Sequence, residues 1–92
     1  MTELIAAKIE NRLIATHVSD NLEFEEACMN NDYDRIIQIF DEEMEENNLF
    51  TKGAIKLKEE INLMITKNKL GTDIMFKVWN ARMSGTGFGV IV

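Results

Sequence analysis

The chain holds one histidine, His17, and one cysteine, Cys28, and these bound what nucleophilic chemistry it can attempt. A thiol attacks as a thiolate once a base has taken its proton, and His17 is the only imidazole available to do so. No metal-ligating role is expected of either residue. The expected roles are therefore structural: His17 at the surface end of a helix, Cys28 as a free buried thiol. No catalytic residue, cofactor or metal site is expected, and the chain does not read as an enzyme. The acids from Asp32 to Glu46, among them Asp34, Asp41, Glu42, Glu45 and Glu46, are numerous enough to attract a divalent cation. A calcium loop, however, alternates its acids around a central glycine. No glycine lies between Thr2 and Lys52. Gly85, Gly87 and Gly89 have the density of a phosphate loop, but such a loop delivers its phosphate to the N-terminus of a following helix. Here only Val90, Ile91 and Val92 follow.

What remains is chemistry of contact. Glu42, Glu43, Glu45 and Glu46 crowd the C-terminal part of one helical segment. The helix dipole disfavours anions there by about 0.3–1 kcal/mol each when exposed. A partner with a basic surface would relieve that cost, so these four acids are candidate partner-binding residues. The same acids could imitate nucleic-acid phosphates in a basic groove, as a DNA mimic does. Lys77, Asn80 and Arg82 follow the segment Lys69–Asp73 in a helix–turn–helix layout, which would turn them toward DNA. Direct nucleic-acid binding is disfavoured by the net charge of −6.

Residues 84–92, SGTGFGVIV, have no charged side chain and end on three β-branched residues. Glycine and β-branched residues are poor helix formers, so a β-prone tail is expected. Left in water such a segment is a liability. Phe88, Val90, Ile91 and Val92 are therefore candidate partner-binding residues too, by adding a strand to a sheet edge or filling a groove. The arrangement of an acidic helical leader before a small apolar end also resembles precursors of ribosomally made, modified peptides. That resemblance implies that the tail would be the core peptide, which enzymes modify and release.

Helices must position these groups. Ninety-two residues with no proline and 46% hydrophobic content suit one all-α domain, a small bundle of four to five helices over residues 1–83 followed by the tail. The first helix is expected from Glu3 to Thr16 with Thr2 as cap. Its apolar stripe is Leu4, Ile5, Ile9 and Leu13. Ser19 and Asp20 offer the next cap, with Asp20 and Glu23 spaced as a capping box. Leu22, Phe24, Ala27 and Cys28 make a short second helix. Asp32 caps a third, where Tyr33, Ile36, Ile37, Phe40 and Met44 form the clearest stripe in the chain. Thr51 caps a fourth helix, expected to reach Asn68, with Ala54, Leu57, Ile61, Met64 and Ile65 inward. Ile55 and Leu63 widen its apolar surface and make it the expected centre of the core. Gly71 reads as a helix stop and Thr72 as the cap of a last helix that faces Ile74, Met75, Val78 and Trp79 inward. Phe76 and Tyr33 are also assigned to the core, and Phe50 and Phe88 to the surface.

Charge is divided unevenly. Residues 1–50 hold thirteen acids and three bases, a balance of −10; residues 51–92 hold three acids and seven bases, a balance of +4. Oppositely charged halves can pack on each other or drive self-association, and a homodimer or other homo-oligomer is expected. With no signal peptide, no long apolar run and a single cysteine, the chain reads as cytoplasmic and not membrane-bound. The reading best fitted to all this is a small acidic regulator or inhibitor that acts by protein–protein binding. Its size and its Lys/Asn/Ile-rich usage suit an accessory protein of a phage or low-GC bacterium.

Overall fold

The computed structural model describes residues 11–83 in full and the backbone alone at residues 2–10 and 84–91. Five helices follow one another: α1 (Thr2–Asp20), α2 (Leu22–Met29), α3 (Tyr33–Glu46), α4 (Lys52–Thr66) and α5 (Gly71–Ile91). Among the described residues there is no strand. The side chains of residues 84–92 lie outside the described residues, and with them the β-prone reading of that segment and the docking role of Phe88, Val90, Ile91 and Val92. No described helix is long and apolar enough to cross a membrane.

The helix boundaries follow from side chains that satisfy free backbone groups. Asn21, not Asp20, caps α2: its side chain accepts from the Glu23 amide at 2.9 Å. The first helix therefore runs four residues beyond Thr16 and takes in Ser19, whose hydroxyl turns back on the Thr16 carbonyl at 3.2 Å. Asp32 and Thr51 cap α3 and α4 as expected, accepting from the amides of Arg35 and Ala54, each at 3.3 Å.

Three helix ends share one device that composition does not advertise. Asn31, Asn48 and Asn68 all adopt left-handed backbone, with φ of 54°, 54° and 60°. In each case two amides close back over the end of the helix: Asp32 to Ala27 and Asn31 to Cys28, Leu49 to Met44 and Asn48 to Glu45, Lys69 to Met64 and Asn68 to Ile65. This is the Schellman pattern, with asparagine where glycine is usual. Asn68, not Gly71, therefore stops α4.

Gly71 does something else. It is the first residue of α5, and a Cβ built there would fall 1.9 Å from the Cys28 carbonyl oxygen. Only glycine lets α5 begin against the end of α2. Its amide donates to the Asn31 side chain at 2.7 Å, which ties the two ends together.

The core draws on every helix: Ile14, Ala15 and Val18; Phe24, Ala27 and Cys28; Ile36, Ile39, Phe40 and Met44; Ala54, Leu57 and Ile61; Ile74, Met75 and Val78. The helix that packs closely against all four others is α1, whereas α4 packs mainly on α1 and α3. Ile55 and Leu63, expected to widen the buried surface of α4, lie in solvent. On the described part of α1, Leu13 is exposed while Ile14, Ala15 and Val18 are sealed; the side chains of Leu4, Ile5 and Ile9, the rest of the expected stripe, lie outside the described residues. On α5, Trp79 and Phe76 stand at the surface rather than in the core.

Candidate functional site

Each sequence-derived candidate among the described residues has a place in this bundle. Of the four acids at the end of α3, two are held by the protein itself. Glu42 accepts from Arg35 at 3.3 Å. Glu43 accepts from Asn21 at 2.8 Å and from Asn47 at 3.1 Å. Glu45 and Glu46 are exposed and, among the described residues, have no ion-pair partner. The run thus divides into a pair that braces α2 against α3 and a pair that faces water. Arg35 lies between Glu23 and Glu42, and its proton is held more tightly than usual, first by the hydrogen bond to Glu23.

The basic residues of the helix–turn–helix reading are also engaged. Lys77 pairs with Glu60 of α4 at 2.8 Å, and Arg82 reaches Asp20 and Ser19, each at 2.9 Å. Both fasten α5 to its neighbours. Cys28 is sealed in the core, and burial pushes its thiol up to about 12, with a smaller contribution from the charge of Glu25. A thiol so protonated is a poor nucleophile. His17 lies in the last turn of α1 beside Arg12, Leu13 and Thr16, along a shallow depression of one helix. No group of three His, Cys, Asp or Glu among the described residues is placed to hold a metal.

Sequence reasoning missed a surface that becomes visible once α2 and α5 are placed. Gly71 rests on Cys28 at one end of this pair, and Arg82 meets Asp20, just before α2, at the other. The two helices therefore run antiparallel. Their inward positions are Phe24, Ala27 and Cys28 on α2, and Gly71, Ile74, Met75 and Val78 on α5. Leu22 and Met29 are spaced seven apart on α2 and share its outer side. Phe76, Trp79 and Met83 recur at i, i+3 and i+7 on the outer side of α5. Leu22 is 95% exposed, Met83 64%, Phe76 53% and Trp79 39%. The rings of Phe76 and Trp79 meet edge to face with centroids 6.0 Å apart. Leu70, the residue before α5, is exposed as well.

The signal for this surface is present in the sequence only as apolar residues in excess of what one inward stripe can hold. Which of them lie outside depends on the direction from which α2 approaches α5.

Compared with known proteins, the chain matches no family model, no curated protein and no solved structure. The residues themselves carry the functional argument.

Proposed function

We propose that this chain is a non-enzymatic regulator or inhibitor that acts by binding another protein through the outer face of α2 and α5. The observation that carries the reading is the row of Leu22, Met29, Phe76, Trp79 and Met83, all exposed on one antiparallel helix pair. Single exposed apolar residues are ordinary on a protein surface, but Phe76 and Trp79 are in ring contact, with Met83 a turn further along the same side of α5, and apolar side chains grouped in this way mark an interaction site. Aromatic and methionine side chains are the types enriched where proteins dock. Glu45 and Glu46 add an unpaired acidic edge at the end of α3, suited to a basic surface on the same partner.

A photo-crosslinking side chain placed in turn at positions 76, 83 and 62 tests this in the cells that make the protein. Asn62 is exposed on α4, away from the proposed face. The expected result is a discrete adduct to another protein from positions 76 and 83 and none from 62. Equal labelling at all three, or none at any, refutes the assignment.

A further inference from the structure

We infer that the element docked on this face is an amphipathic helix of a different protein, with basic residues beside its apolar stripe; this rests on the reading of α2–α5 as a protein-binding surface. The form of the face argues for a helix. Two antiparallel helices leave a seam between them, and its length is set by the shorter helix, α2, whose eight residues span about 12 Å at 1.5 Å per residue. That accommodates about two turns of a third helix, whose anchors at i, i+4 and i+7 would meet Leu22 and Met29 on one side and Phe76, Trp79 and Met83 on the other.

Charge selects the occupant. Glu25 and Glu26 lie on the exposed side of α2 and Asp73 on the exposed side of α5. None of the three has an ion-pair partner among the described residues. The nearby bases do not cancel them. Glu26 shares a depression between α2 and α3 with Arg35, whose guanidinium is already held by Glu23 and Glu42. Arg82 is neutralised by Asp20, and Lys77 turns away to Glu60. Lys69 is exposed at the Leu70 end of the seam only. An incoming helix flanked by Lys or Arg therefore meets unpaired carboxylates on both sides. A second copy docking through the same face by two-fold symmetry would bring this acidic rim up against the identical rim of its partner. Like charges brought together in this way oppose association.

Trp79 is the only tryptophan and stands within the row, so its emission reports occupancy directly. Three synthetic 18-residue peptides serve as probes: a Leu/Phe-striped helix with lysine flanks, the same stripe with glutamate flanks, and a scramble of the lysine peptide. The lysine-flanked helix should shift Trp79 emission to the blue and saturate, with affinity that falls as salt rises. The glutamate-flanked helix should bind at least about tenfold more weakly, and the scramble should not bind. Substituting the rim as Glu25→Lys, Glu26→Lys and Asp73→Lys changes only exposed side chains. It should leave the circular dichroism intact and reverse the preference. Equal binding of the two striped peptides overturns the basic-flank inference while leaving the face itself as a binding surface. Crosslinks from positions 76 and 83 without binding of any peptide overturn the helical partner. A blue shift on concentration alone, with a dimer in sedimentation equilibrium, assigns the face to a second copy and overturns the inference. Failure of crosslinks and peptides together removes the reading on which it rests.

Discussion

Gly71 carries opposing demands that a single substitution separates. As the first residue of α5 it would favour alanine on helix propensity alone, by about 1 kcal/mol. The Cys28 carbonyl stands 1.9 Å from where that methyl group would sit, and it is backbone, which cannot swing aside. Overpacking of this kind costs about 1–3 kcal/mol. Gly71→Ala should therefore destabilise the protein, lowering the melting temperature by roughly 4–8 °C for each kcal/mol in a domain of this size. Thermal melts followed by circular dichroism check it, and an unchanged or raised midpoint would show that α2 and α5 do not need their close approach. In the sequence Gly71 reads equally well as a helix stop, because glycine serves both left-handed turns and tight contacts. Cys28 was easier to place: a lone thiol among Phe24, Ala27 and Met29 on a short amphipathic segment has an apolar destination.

At the scale of the element, the three asparagine-terminated helices permit an internal comparison. Asn48 and Asn31 adopt the same left-handed backbone, but only Asn31 uses its side chain to hold another helix, accepting from the Gly71 amide at 2.7 Å. Glycine tolerates that backbone freely, so Asn48→Gly should change stability by no more than about 0.5 kcal/mol. Asn31→Gly should cost about 0.5–1.5 kcal/mol more, the net worth of the lost hydrogen bond. Denaturant midpoints of the two variants check the gap, and equal midpoints would show that the Asn31–Gly71 bond contributes nothing to stability. Helix faces were legible where one stripe is unambiguous. On α3 the expected stripe of Tyr33, Ile36, Ile37, Phe40 and Met44 marks the inward side: Ile36, Phe40 and Met44 are buried, Tyr33 and Ile37 partly so, and Ile39, outside that stripe, is buried beside them. On α1, apolar residues at 13, 14, 15 and 18 admit two, and Leu13 fell outside while Ile14 went in. On α4, Ile55 and Leu63 were similarly ambiguous, since amphipathic spacing states which residues share a face and not how much of that face a neighbour covers.

For the molecule as a whole, charge and core make unequal contributions. The acidic first half and basic second half are joined by the Lys58–Asp41 and Arg82–Asp20 pairs. Both bridges are partly exposed, and such pairs contribute about 0–1 kcal/mol. Arg82→Ala should therefore lower stability by less than about 1 kcal/mol. Ile61→Asp places an unpaired carboxylate in a fully buried site of α4 and should abolish cooperative folding. The pair of substitutions, compared by chemical denaturation, tests whether the bundle is held by its apolar interior. Comparable losses from both would show that the charge asymmetry is structural.

Helical class, the capping of α3 and α4 and the inward stripe of α3 were determined by the amino-acid sequence alone, because each depends on groups within about a turn of one another. The hub role of α1, the purpose of Gly71 and the exposed row on α2 and α5 were decided only by tertiary structure. They depend on which side of each helix a distant segment covers, and local spacing carries no information about the angle from which that segment arrives.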